Sequence, residues 1–426
     1  MRITSSAFSN SARRLVFGLL GTFSLTTTLA FADIEPARLD AIAADLQARV
    51  DAGRLSGVVA MAAQNGEVVM HRSFGMANVE DQVPMANDTI FRIFSMTKPV
   101  AGTALMILYD EGKFQLSDPV EKYIPELANL QVFKSQNDDG SFVTEPAVHP
   151  MTIRELMSHT GGLMYAPPLG QGPVATAYAK AGILNPNIPL KEQITALGKI
   201  PLNHQPGSQW VYSISVDVQG YLVEVLSGQT FDVFLQERIF GPLGMVDTGF
   251  FVAPEKVDRL ARQYVPQPGG GLRRTDIETN DGQGLFHSFR QKPAFFSGGG
   301  GLTSTAADYM KFAQMHLNKG ELNGVRILSE EAIDIMRSNQ LPDNITGIGQ
   351  LYPGNVFGVD FAIVNDPSRW NGAPVGTHWW WGIAGTWFWI DPVNDIIFIG
   401  MIQNDDIMYS LQTAAKSRDL IYNPLP

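Results

Sequence analysis

The chain has 426 residues, 45% of them hydrophobic and 17% charged, so it can bury a large core and has the composition of a globular protein. Its formal charge of −11 removes any general attraction to nucleic acid or anionic lipid. Cysteine is absent, which excludes disulfides, thiol nucleophiles and thiolate zinc sites together.

The first 32 residues read as a targeting segment. Arg13-Arg14 precede an apolar stretch over 15–30, Ala30-Phe31-Ala32 has the small-x-small form of a signal-peptidase site, and no acidic residue comes before Asp33. Cleavage after Ala32 would deliver residues 33–426 to the periplasm or the exterior, by a general secretory or a twin-arginine route. The stretch is too short and too rich in Thr and Ser for a membrane span, and no later segment reads as one.

Residues 36–52 predict an amphipathic helix, with Leu39, Ile42, Ala43, Leu46 and Val50 on one stripe. Two strand-like runs follow, 57–63 and 67–72, joined by the hairpin signal Asn65-Gly66. A helix starting close to Ser95 tolerates Pro99 in its first turn, buries Ala101, Ala104, Leu105 and Leu108, and ends near Gly112. From about 115 to 340, helical segments (151–158, 217–226, 231–239 and 305–317) alternate with Pro/Gly loops. Ser304 or Thr305 is the N-cap of the last of these, with Asp308 in its first turn. The glycine runs 269–271 and 298–301 lack the Gly-Lys-Ser/Thr of a phosphate loop and read as tight backbone packing. Strands return at 357–364, 386–390 and 396–403, with a turn at 391–395, and a helix over 408–421 closes the chain. The prediction is an α+β fold. One antiparallel sheet is built from both termini (about 36–90 and 355–426), and a mainly helical lobe of about 115–340 is inserted between them.

Ser95-Met96-Thr97-Lys98 is the one S-x-x-K among the 12 lysines, and it opens a helical run. Residues i and i+3 share a helix face, so hydroxyl and amine are neighbours. A lysine whose pKa is lowered can take the serine proton. Tyr212 stands just before a helix. Taken alone it reads as a packed aromatic; beside a lysine ammonium, a tyrosinate is a competent base. His159, ahead of Thr160-Gly161-Gly162, reads as a helix-end structural residue. No G-x-S-x-G and no H-E-x-x-H occurs, and no pair of the seven histidines has metal-ligand spacing.

Together these stretches resemble the serine β-lactamase/penicillin-binding-protein superfamily on its class C side, most of all the family VIII carboxylesterases. The resemblance covers about residues 36–420. Phe91-Arg92-Ile93-Phe94-Ser95-Met96-Thr97-Lys98 matches the nucleophile motif, and Tyr212-Ser213 the second motif. Thr152-Ile153-Arg154-Glu155-Leu156 through His159-Thr160-Gly161-Gly162-Leu163, Pro242-Leu243-Gly244-Met245-Val246-Asp247-Thr248 and Gly299-Gly300-Gly301-Leu302-Thr303-Ser304-Thr305 are further signposts. Trp381-Gly382-Ile383-Ala384-Gly385-Thr386 lies where the family has its third motif.

The resemblance implies a β-lactamase-like fold and acyl transfer through Ser95, with Lys98 and Tyr212 as the base and no metal or cofactor. It also implies an oxyanion hole from the backbone N–H groups of Ser95 and Ala384, and substrate contacts at Trp381, Gly382 and Ile383. Asp217 reads as a helix-start charge or a group tuning Lys98. Lactamases and transpeptidases usually carry Lys-Thr-Gly at the third motif. Here Trp381 offers apolar area in place of a cation, Ile383 replaces a glycine, and Ile214 replaces the asparagine of Tyr-x-Asn. These departures favour a small-molecule ester as substrate. The rival readings are a β-lactamase or D-alanyl-D-alanine peptidase and a non-catalytic scaffold or binding protein of the same fold.

Overall fold

The computed structural model describes residues 33–276 and 289–425. The export reading of residues 1–32 therefore lies outside the described residues.

The main sheet is built from the chain's two ends. Strands β1 (Gly57–Gln64), β2 (Glu67–Asn78) and β3 (Val83–Pro84) come from the first part. Strands β4 (Asn355–Phe357), β5 (Ala362–Val364), β6 (His378–Trp381), β7 (Trp387–Asp391) and β8 (Ile396–Met401) come from the last. Their order is β4-β5-β6-β7-β8-β1-β2-β3, antiparallel throughout. The two halves meet where β1 pairs with β8, from Val59 opposite Met401 to Gln64 opposite Ile396. Asn65 and Gly66 both have positive φ (52° and 78°), the geometry of a two-residue hairpin that matches strand twist.

Every residue of β1 and β8 is buried, so both faces of the sheet are covered. Of helices α1 (Pro36–Asp51), α2 (Thr97–Asp110), α3 (Ile153–Met157), α4 (Ser215–Ser227), α5 (Ala306–Leu317) and α6 (Ile407–Tyr422), α1, α5 and α6 lie against the sheet, and α2 and α3 pack on α4 of the inserted lobe. Tyr309 of α5 lies 4.9 Å from the ring of Phe388, whereas Trp389 donates to the Tyr422 hydroxyl of α6 at 3.0 Å. Successive strand residues point to opposite faces, so α5 and α6 lie on opposite sides of the sheet. α1 packs on α6, and Arg38 donates to the Leu420 and Asn423 carbonyls that α6 leaves open.

Several predicted elements differ in detail. The 115–340 segment also carries a hairpin, Gln131–Gln136 with Phe142–Pro146, whose exposed polar strands give little apolar alternation to read. The predicted strand 357–364 is broken into β4 and β5 by a turn in which Asp360 has φ 57°. The helical segment 231–239 passes after Leu235 into a π-type turn, Gln236–Phe240. Thr305 is the N-cap of α5, accepting from the Asp308 N–H at 3.1 Å.

Candidate active site

Ser95 sits in a single 3₁₀ turn, Phe94–Met96, that runs into α2. The turn is held on three sides. Met96 N–H donates back to Ile93, Ile93 N–H donates to Leu302, and the Tyr309 hydroxyl donates to the Met96 carbonyl at 2.9 Å. Phe94 has φ 42°, a left-handed backbone that a bulky side chain rarely adopts. Its ring pins it there, packed edge-on to Phe289 at 5.9 Å in a small buried cluster with Ile90, Val252, Leu260 and Ala384.

One helical turn on, Lys98 is fully buried. Its Nζ donates to Ser95 Oγ at 3.1 Å and to the Gly299 carbonyl at 2.5 Å. The amine also lies 4.6 Å from the ring centre of Tyr212 and 5.6 Å from that of Tyr165. Burial pushes its pKa down to about 7, against the pull of the Asp217 and Asp360 carboxylates. An amine in that range is neutral often enough at neutral pH to accept a proton.

The glycine run 298–301 is the floor that receives Lys98. A side chain at Gly298 would collide with the Val216 carbonyl, and one at Gly299 would come within 2.8 Å of the Asp217 carboxylate. This is the tight packing predicted for the run, and its carbonyl is an acceptor that the sequence did not reveal. Asp217, in the first turn of α4, fastens the run by accepting from Ser297 Oγ at 2.6 Å and from Gly299 N–H at 3.1 Å.

Tyr212 precedes α4. Burial raises its phenol pKa, and hydrogen bonding with Ser95 and Trp380 opposes that rise. Trp380 Nε1 donates to the Tyr212 oxygen at 3.2 Å. His159, just past α3 with φ 58°, lies 5.0 Å from the Tyr212 ring and pairs through Nδ1 with Ser213 Oγ at 2.9 Å. Burial, together with the Lys98 charge, holds its pKa well below the ordinary range.

The third-motif residues divide between two directions. Trp381 donates through Nε1 to the Tyr352 hydroxyl at 2.9 Å, whereas Trp380 is the indole that reaches Tyr212. After β6 the chain turns back, with Gly382 N–H on Thr386 and Gly385 N–H on Gly382, which puts Ile383 and Ala384 at the centre of the turn. Any side chain at Gly382 would strike the Ile93 carbonyl, so glycine lets the turn press against the Ser95 segment. Ala384 is buried in the same cluster as Phe94.

Ser95, Lys98 and Tyr212 are thus brought together, with Gly382, Ile383 and Ala384 beside them and Trp381 at the rim. The sequence did not single out Trp380, Tyr165 or Asp360, and it marked Gly299 as a signpost and as tight packing without a role for its carbonyl. Strand alternation held the signal for Trp380, because only one of two successive tryptophans can face Tyr212 and Ser95. Among the described residues no cluster of His, Asp and Glu has the arrangement of a metal site.

The Beta-lactamase family matches residues 42–420, and the chain belongs to that family. Its relatives include Protein Rv1367c of Mycobacterium tuberculosis, 36% identical over 86% of this chain and 90% of that protein. Esterase EstB of Burkholderia gladioli is 33% identical over 84% of this chain and 90% of its own. Among solved structures, EstCE1, described as a hydrolase with promiscuous acyltransferase activity, superposes with a TM-score of 0.75 at 25% identity, covering 91% of this chain and 99% of EstCE1. The fold is the β-lactamase-like α+β fold, and the chain is a serine hydrolase close to the family VIII esterases.

Proposed function

We propose that the chain hydrolyses neutral carboxylic esters through an acyl-enzyme on Ser95. The observation that carries this reading is the Ser95 hydroxyl 3.1 Å from a buried amine of pKa about 7, beside a tyrosine bound by an indole instead of a cation.

Ser95 Oγ attacks the ester carbonyl while its proton passes to the Lys98/Tyr212 pair. The carbonyl oxygen becomes an oxyanion between the backbone N–H groups of Ser95 and Ala384, donors that contribute about 3 kcal/mol each in such sites. The C–O bond to the alcohol breaks, and the departing alkoxide takes the proton from the pair. Water then gives a proton to the same pair, attacks the acyl carbon and releases the acid, and Ser95 regains its proton. The Trp380 N–H favours the phenolate form of Tyr212 but brings no positive charge with which to pair a substrate carboxylate. Tyr165, Trp381 and Tyr352 add aromatic surface around the amine and the rim. Neutral, apolar esters therefore suit this site better than anionic wall peptides or lactams. The names of EstB and of the Penicillium rubens lovastatin esterase support the same direction.

The export signal belongs to the proposal as well. Protein recovered from the periplasm should begin at Asp33, and recovery of an intact Met1 terminus from the cytoplasm would refute it. The activity is tested by giving the purified protein a p-nitrophenyl ester series and a chromogenic cephalosporin, beside Ser95→Ala. Ester turnover that the variant lacks supports the reading. Faster turnover of the cephalosporin than of any ester would replace it with the lactamase alternative.

A further inference from the structure

Beneath Lys98, on the side away from Ser95, lies a group of buried polar side chains that the acyl-transfer chemistry does not use. Asp360 is fully buried in the turn between β4 and β5 and has a left-handed backbone, φ 57°. One carboxylate oxygen accepts from Gln219 Nε2 at 3.3 Å and lies 4.0 Å from His159 Nε2. The other has no hydrogen-bond partner, and neither do His159 Nε2, Asp217 Oδ2 and Gln219 Oε1. Buried carboxylate oxygens are rarely left so, because an unmet one costs about 1–3 kcal/mol.

The helix that carries Lys98 makes room for this carboxylate. Gly102 stands one turn after Lys98 on the same face of α2. A side chain there would come within 2.6 Å of Asp360 Oδ2. Glycine inside a helix costs about 1 kcal/mol relative to alanine, so the gap has a reason beyond helix stability. Of the non-glycine residues with positive φ, Phe94, His159 and Asp360 all border the Ser95–Lys98–Tyr212 group.

We infer that Asp360 is a positioning residue for Lys98: a counter-charge on the inner side of the amine that sets how readily it holds the proton taken from Ser95. The inference rests on the proposed role of Lys98 as base. The groups facing the amine are Ser95 in the turn ahead of its helix, the rings of Tyr165 and Tyr212, the Gly299 carbonyl, Asp217 and Gln219 on α4, His159 after α3, and Asp360. Asp217 and Asp360 each keep one oxygen without a donor, but Asp217 is fastened to the Ser297–Gly299 run by two bonds, whereas Asp360 accepts only from Gln219 and turns its free oxygen toward Gly102 on the helix that carries Lys98. Burial raises the Asp360 carboxyl well above the ordinary range and the Lys98 charge opposes that rise, so carboxylate and ammonium favour each other's charged form. In that ionised pair the negative charge raises the amine's pKa, and removing it lowers the pH at which the amine becomes a base.

The test is the pH profile of kcat/KM for a neutral p-nitrophenyl ester, in the full chain, for wild type and Asp360→Asn. The variant's acidic limb should move down by roughly one pH unit with KM little changed. Gly102→Ala, which pushes the carboxylate aside from the other direction, should move the limb the same way and serves if Asp360→Asn does not fold. A limb that stays in place in the folded variants, whatever happens to kcat, would show that Asp360 only fills the core. A wild type without esterase activity would instead overturn the proposed function, a failure that can be told apart from this one.

Discussion

Two cations are buried against aromatic rings on opposite faces of the same sheet. Trp379 and Trp380 are consecutive on β6 and point to opposite sides. On the outer side, the Arg418 guanidinium lies 4.1 Å over Trp370, which stacks on Trp379. On the inner side, the Lys98 amine lies 4.6 Å from the Tyr212 ring, whose hydroxyl Trp380 binds. Burial lowers both pKa values, that of Arg418 to about 9 and that of Lys98 to about 7. The first therefore stays a cation at neutral pH, while the second is the group proposed above as the base. Enclosure in aromatic rings does not by itself make a catalytic group. The starting pKa of the side chain and the presence of a hydroxyl at 3.1 Å separate Arg418 from the amine proposed as the base.

The comparison can be broken most directly at the nucleophile. Ser95→Ala should abolish ester turnover with little change in Tm, because one hydroxyl in a 3₁₀ turn contributes little to stability. A phosphonate should label wild type on Ser95 by mass spectrometry. Labelling of another serine would move the active site elsewhere.

The two cations themselves should respond in opposite ways. Lys98→Arg keeps the charge but cannot yield a neutral base, so kcat should fall by about 10²–10⁴-fold. Arg418→Ala should leave kcat per folded molecule unchanged and destabilise the chain by about 3 kcal/mol through lost packing, read from urea unfolding. If the Lys98 variant keeps its activity, the inner cation is as structural as the outer one.

Tyr212 and Trp380 sharpen the inner half. Tyr212→Phe should lower kcat by orders of magnitude, and combining it with Lys98→Ala should cost little more than either change alone, since groups acting as one unit are not additive. Trp380→Phe removes one hydrogen bond to a developing phenolate and should cost about 10–100-fold in kcat/KM. Trp381→Phe, which loses a bond to Tyr352 at the rim, should cost less.

The smallest effect concerns acid stability. His159, His316 and His378 are buried, and burial lowers each pKa, that of His378 to about 4. Below about pH 6.5 the unfolded chain binds protons that the folded histidines refuse, so stability present at neutral pH is lost as pH falls, by about 1.4 kcal/mol per pH unit for each. Burial raises the Asp217 and Asp360 carboxyls, which act in the opposite sense. His316→Gln, at a residue paired with Thr103 and outside the Ser95–Lys98–Tyr212 group, should flatten the loss between pH 6.5 and 5 as followed by urea unfolding.

Much of this was legible in the sequence because it rests on local order. The i,i+3 spacing of Ser95 and Lys98, the Asn65-Gly66 hairpin and the Thr305 cap each need only neighbouring residues to be read. The sheet's joining of both termini followed from strand-like runs at each end. What escaped depends on contacts between distant segments. Asp360 reads as one polar residue in a strand, and its place under Lys98 comes from a turn that breaks the strand and a glycine more than 250 positions earlier. Trp380 and Trp381 are equivalent in composition, and only the face of β6 distinguishes them. The Gly299 carbonyl is backbone, so no side-chain pattern announces it.

The proposed chemistry requires Lys98 to act as a neutral base toward Ser95. The measurement that tests this most directly is the rate of Ser95 phosphonylation by a neutral phosphonate across pH 5 to 9, in wild type and Lys98→Ala. The rate should rise through a midpoint near pH 7 in wild type, and the rise should vanish in the variant. A wild-type rate independent of pH, or the same rise in Lys98→Ala, would contradict it.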